Sequence, residues 1–177
     1  LHQECAKQLR KHGVQQVCPL CRATLPAGPE ILFEDASRMY VAIFRQVGVD
    51  SYDSKLWQSL TNSQQRKMAV VVEMYTNAAN QGHAGAQFNL GLIYQHGAGV
   101  SYDFKKAVSW YHKAANQGLA DAQYSLGCAY LHGEGVVKDH KKAAQWYHKA
   151  ANQGFVAAQS NLGGMYRNGK GVAQDNN

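Results

Sequence analysis

The chain contains no stretch that is long and apolar enough to span a membrane, which takes about 20 residues. Its first residues lack the basic-then-apolar order of a secretory signal. No nucleophile stands beside a base and no phosphate-cradling loop is present, so a hydrolytic or redox enzyme has little support. Acidic residues are few, 12 against 18 Lys and Arg, for a net charge of +6 and a pI near 9.1. A nucleic-acid footprint would need that charge gathered on one face. Lys105, Lys106, Lys113, Lys138, Lys141, Lys142 and Lys149 are spread out instead, and the aromatic residues fall at apolar-stripe positions, not between basic ones. The expectation is a solvated basic surface with neither nucleic acid nor membrane as partner, and a cytoplasmic location. The sequence starts at Leu1 rather than Met and stops at Asn176-Asn177, so both ends are expected to be cut.

What the chain does have is a period. Asp103, Asp139 and Asp175 are 36 apart, as are Gly82, Gly118 and Gly154, and fifteen of the 36 positions are identical in all three copies. A fixed period in this range marks a solenoid whose units bury their apolar faces only against their neighbours. The 177 residues suit one elongated repeat domain with a small appendage. In the middle of the array Asp103 is placed to cap a helix, because its carboxylate can accept orphan backbone N–H groups. Ala107, Trp110, Tyr111, Ala114 and Ala115 follow at helical spacing as one apolar stripe. Asn116-Gln117-Gly118 ends that helix, with Gly118 expected in the left-handed conformation. A second helix turns Ala122, Leu126, Ala129 and Tyr130 inward. Gly127 lies inside it, where Gly costs about 1 kcal/mol against Ala. Its recurrence predicts that a neighbouring helix approaches too closely for a Cβ. Gly133 and Gly135 then supply positive φ in the loop back to Asp139.

The pattern Ala-x2-Trp-Tyr-x-Lys-Ala-Ala-x-Gln-Gly, continuing Ala-Gln-x2-Leu-Gly-x2-Tyr-x2-Gly-x-Gly-Val-x2-Asp, resembles the Sel-1-like repeat, a relative of the tetratricopeptide repeat. The resemblance covers residues 68–175 and departs in the first copy, at Met74 and Asn77. It implies an all-α, α/α superhelical solenoid whose concave face holds protein partners. The expected units are 68–103, 104–139 and 140–175, within a repeat domain 62–177. Lys105-Lys106 and Lys141-Lys142 fall in first helical turns, where positive charge opposes the macrodipole. They read either as a basic rim for an acidic partner or as drift on a solvated face. His96, His112, His132 and His148 recur without a Cys or carboxylate recurring beside them, which favours surface histidine over a metal site. Cys128 is expected simply to pack.

Residues 28–61 are expected to form a helical linker and amino-terminal cap. Pro29 opens a helix whose Leu32, Ala36, Met39, Tyr40, Ile43 and Val47 share a face, and Gly48 ends it. This helix is expected to cover the amino-terminal end of the solenoid. A polar connection holding Trp57 follows, and Thr61-x-x-Gln64 reads as a capping box for the helix carrying Met68, Val71, Val72 and Tyr75.

Three of the four cysteines lie in segment 1–27, in the string His2-x2-Cys5-x12-Cys18-Pro19-Leu20-Cys21-Arg22. Two thiolates two residues apart can converge on one tetrahedral Zn2+. No βαβ pattern surrounds them to suggest a thioredoxin-like pair. The string resembles the carboxy-terminal half of a RING finger. That resemblance implies that His2 and Cys5 serve one zinc with an earlier ligand pair, and Cys18 and Cys21 a second zinc with another. It places Pro19 against a ubiquitin-conjugating enzyme and makes Arg22 the residue that holds conjugated ubiquitin in its reactive pose. The four earlier ligands are not in this sequence, so this stretch alone is not expected to transfer ubiquitin. Alternatively, His2, Cys5, Cys18 and Cys21 close a single structural zinc site on a non-enzymatic scaffold. The reading from sequence is thus an interaction scaffold with a RING-type ligase head, the solenoid gripping a substrate or adaptor.

Overall fold

A computed structural model describes residues 27–47, 57 and 59–171. Seven helices follow in order among them: α1 (Pro29–Val47), α2 (Asn62–Asn80), α3 (Ala84–His96), α4 (Phe104–Asn116), α5 (Ala120–His132), α6 (His140–Ala151) and α7 (Val156–Arg167). Each packs on the helix before it and the helix after it, and no strand occurs among the described residues. This is the all-α solenoid that the period predicts.

Local chemistry sets the boundaries. Asp103 and Asp139 are extended N-caps whose carboxylates accept the backbone N–H of Lys106 and Lys142, each at 3.0 Å. Thr61 and Gln64 close a full capping box at the start of α2. Gly118 takes φ +93° after α4, and Gly133 φ +79° after α5. Gly135 has no room for a side chain, because a Cβ there would strike the Phe104 carbonyl at the start of its own unit's first helix.

The core is a row of small clusters. Each centres on a fully buried tyrosine of the first helix of a unit, Tyr75, Tyr111 or Tyr147, among alanines. The glycine inside the second helix accepts that ring. A Cβ at Gly91 would lie under 3.0 Å from carbons of the Tyr111 ring, and one at Gly127 under 3.0 Å from carbons of the Tyr147 ring. The close approach expected at Gly127 is therefore real, but what approaches is an aromatic ring rather than a helix backbone. Val108, not assigned to the stripe, is buried beside Ala107 and Tyr111, while Trp110 is only half-buried.

The first helix follows the same rule. Phe33 lies 5.9 Å from Tyr75, as Phe88 lies 5.8 Å from Tyr111 and Tyr124 5.7 Å from Tyr147. In that register Ala36 takes the place of Gly91 and Gly127, and Ser37 Oγ meets Tyr75 OH at 3.0 Å. α1 stands to α2 as α3 stands to α4. It buries Ala36 and Ile43, and Trp57 stacks on Tyr40 at 5.7 Å while only 3 % exposed. The connection expected to be polar thus delivers an indole to the core. Gly48, expected to end α1, lies outside the described residues.

Successive units are also joined by polar contacts. Gln87 and Gln123 are buried, and their amide nitrogens donate to the carbonyls of Ala79 and Ala115. Their amide oxygens accept from Gln117 and Gln153 of the following unit, each at 2.8 Å. Gln153 also donates to the Gly118 carbonyl. Buried amides satisfied on both sides fix the register between units as well as stabilising it.

Candidate protein-binding surface

The outer faces of α4 and α6 carry the same arrangement one period apart. Lys113 Nζ sits 3.8 Å from the centroid of the Trp110 ring, and Lys149 Nζ 4.1 Å from that of Trp146. One turn earlier, Lys106 lies 5.3 Å from the Tyr94 ring and Lys142 5.5 Å from the Tyr130 ring. Lys106 and Lys142 also reach the capping carboxylates Asp103 and Asp139, at 3.7 and 3.6 Å. The Asp139 carboxyl is held below its usual range, mainly by the backbone N–H of Lys142.

Two histidines are tied into this surface. His112 Nε2 meets Tyr130 OH at 3.3 Å, and His148 Nε2 meets Tyr166 OH at 2.8 Å. His112 also packs edge-on against Trp146 of the next unit, 5.6 Å away. Both rings are half-buried and bonded to a tyrosine hydroxyl, contacts that the surface-histidine reading does not include. The reason is that each partner lies in a different helix at a non-equivalent repeat position, so comparison of equal positions does not reveal it.

Burial, and then the charge of Lys142, hold the His112 pKa below the ordinary value, and burial does the same for His96. A histidine depressed in the folded state contributes stability that is complete above its unfolded pKa, about 6.5. That contribution is lost as pH falls through the folded pKa. The melting temperature should therefore drop between neutral pH and about pH 5. His112→Gln should remove part of that slope and His96→Gln the rest, read by thermal melts across the range. An unchanged slope in the double variant would assign the acid sensitivity elsewhere.

On the loop side an open groove of about 840 Å³ is lined by Trp57, Gln95, His96, Tyr102, Phe104 and Glu134, among others. The Tyr111 hydroxyl donates to Gln95 at one edge of it. Cys128 is half-buried, and its Sγ accepts from Tyr147 OH at 3.3 Å. Burial and the neighbouring thiol push the Tyr147 hydroxyl pKa far up, so that it remains a neutral donor. The packing role expected for Cys128 agrees with this placement.

Among the described residues no three His, Cys, Asp or Glu side chains converge on a point that could hold a metal ion. No described helix is long and apolar enough to cross a membrane. The predicted zinc ligands His2, Cys5, Cys18 and Cys21, with Pro19 and Arg22, all lie outside the described residues. The glutamine contacts and the Lys–Trp pairs were not singled out from sequence. Their signal was the identity of Gln81/117/153 and Gln87/123/159 in every copy, and the Trp-x2-Lys spacing shared by the second and third copies.

Fold and surface together define a class: a helical-repeat scaffold with extended faces. Residues 84–119, 120–155 and 156–177 match the Sel1 repeat, more than half of the sequence, and the chain belongs to the Sel1 repeat family. The matched blocks open on α3, α5 and α7, so they share the 36-residue period but start at the second helix of the units defined above. A Sel1 repeat protein from Oxalobacter formigenes is 37 % identical over 58 % of this chain and 79 % of its own, with a TM-score of 0.56. A protective antigen of uropathogenic Escherichia coli displaying an SLR fold is 28 % identical over 97 % of this chain, with a TM-score of 0.61; the match spans 37 % of that longer protein. Cysteine rich protein B of Helicobacter pylori is 25 % identical over 73 % of this chain and 96 % of its own, with a TM-score of 0.52. No curated protein matches the chain.

Proposed function

We propose that this chain is a protein-interaction scaffold whose solenoid holds a substrate or adaptor, joined to a RING-type head that recruits a ubiquitin-conjugating enzyme in the cytoplasm. The observation that carries the scaffold reading is the unbroken stack from α1 to α7, with a buried tyrosine at successive junctions and the side chains outside the core left to form extended surfaces. The head rests on sequence alone. Three thiolates and one imidazole form a donor set suited to tetrahedral zinc. In the RING reading His2 and Cys5 hold one ion, and Cys18 and Cys21 another, each completed by ligands of a longer parent chain. When bound, zinc would supply structural cross-links and no chemistry. Pro19 would contact the conjugating enzyme, and Arg22 would hold the loaded ubiquitin so that a substrate lysine attacks its thioester, a gain in rate from positioning.

Two measurements test the head. Zinc content comes first: weak binding by this chain that becomes tight in a longer amino-terminal version supports the RING, whereas one tightly held ion supports a single structural site. Autoubiquitination by the parent is second, with Arg22→Ala expected to reduce it strongly. An inert parent across a panel of conjugating enzymes would leave the scaffold without ligase activity.

A further inference from the structure

We propose that the row formed by Lys106, Trp110 and Lys113 on α4 and by Lys142, Trp146 and Lys149 on α6 is a docking face for an acidic segment of a partner protein. This rests on the scaffold reading above and names the chemistry of its ligand.

Residues i, i+4 and i+7 of a helix share a face, so each triplet is a single stripe in which, contrary to the expectation from sequence, an aromatic ring stands between two lysines, and the stripes are repeat equivalents. Lys106 and Lys142 side chains are 62 % and 57 % exposed, and Lys113 and Lys149 are exposed too. His112 links the stripes, since it packs on Trp146 and feels the charge of Lys142. Apart from the capping Asp103 and Asp139, which lie within 4 Å of Lys106 and Lys142, the sequence from Phe104 to Gly171 holds only Asp121 and Glu134 as acidic residues.

Folding does not require this charge. The equivalent positions of the first unit hold Val70, Met74 and Asn77, and α2 forms and packs without a cation there. Lys106 and Lys142 stand in first turns, where the macrodipole disfavours positive charge. A feature that the unit can omit, and that its helices locally oppose, points to a ligand. Lys113 and Lys149 are already held against indole rings, so little side-chain freedom is lost when a carboxylate arrives.

The same geometry favours a protein segment over a nucleic acid. Ammonium groups lie on Trp110 and Trp146, where bases would otherwise stack.

The test is fluorescence anisotropy of a labelled alternating Glu-Ser peptide titrated with the full chain, beside a Gln-Ser peptide. The acidic peptide should bind and the Gln-Ser peptide should not. The Lys106→Glu/Lys142→Glu pair should weaken binding about tenfold or more. These substitutions place acid in a first turn, which helices favour, so a retained or raised melting temperature would separate lost binding from lost folding. Arg66→Glu/Lys67→Glu changes net charge equally on exposed residues of α2, which packs on α1 and α3, and should leave affinity within about twofold. Equal loss in both pairs would reduce the effect to net charge and overturn the proposal. Tighter binding of duplex DNA or phosphatidylserine vesicles than of the acidic peptide would overturn it as well. Binding of Gln-Ser but not Glu-Ser would overturn the acidic preference alone and leave the scaffold standing.

Discussion

Replacing Tyr147 with Ala is expected to destabilise the third unit by about 3–5 kcal/mol, the range for a large buried aromatic. Tyr147 is fully buried, its ring fills the space above Gly127 beside Tyr124, and its hydroxyl donates to Cys128. An alanine would leave a cavity at the junction that binds this unit to the rest. Tyr147→Phe keeps the ring and gives up one hydrogen bond, worth about 0.5–1.5 kcal/mol. Urea unfolding should therefore rank Phe well above Ala. In a solenoid, stability is close to a sum over units and junctions, so the Ala variant should also split one transition into two. A single unchanged transition would mean that the tyrosine does not hold the junction.

Gly127→Val should cost about 3 kcal/mol, the upper end for overpacking. The new Cβ would lie under 3.0 Å from Tyr147 ring carbons, and that ring is fully buried, so the core around it would have to shift. Two comparisons sharpen this. In the Gly127→Val/Tyr147→Ala double variant the costs should fall short of additive, because the side chain fills space that the ring has left. Gly163 is the repeat equivalent of Gly127, yet no described atom lies within 4 Å of a Cβ built there. Gly163→Ala should therefore gain up to about 1 kcal/mol from helix propensity. Calorimetric melts of the two variants should move in opposite directions. A shift of the same sign in both would show that helix propensity, not the ring, sets the cost at this position.

Much of this was legible in the sequence because each position is written more than once. One Asp before an apolar stripe is a weak cap, but Asp103 and Asp139 at one period are a strong one. A lone Gly inside a helix is ambiguous, whereas Gly91 and Gly127 recurring there demanded a close neighbour. Other features escaped for physical reasons. Periodicity compares equal positions, so it shows that Gln87 and Gln117 recur but not that they meet, and the contact of His112 with Tyr130 is hidden in the same way. α1 escaped as a repeat helix because Ala36 stands where the later units have Gly, and its distance to Gly91 exceeds one period. Trp57 escaped because its polar neighbours in sequence gave no sign of the Tyr40 ring that it meets in space.

The glutamine contacts have a directional consequence. Every amide oxygen on Gln87 and Gln123 receives its hydrogen from the unit that follows, while the nitrogen is turned back into its own unit. The chain of donors therefore points one way along the axis. A junction that continued it past α7 would have to run head to tail, because Gln159 turns its amide nitrogen back to the Ala151 carbonyl and a two-fold junction there would set two such oxygens against each other. Self-association by this route would be heterologous, and heterologous contacts produce rings or open filaments, never a closed isologous pair.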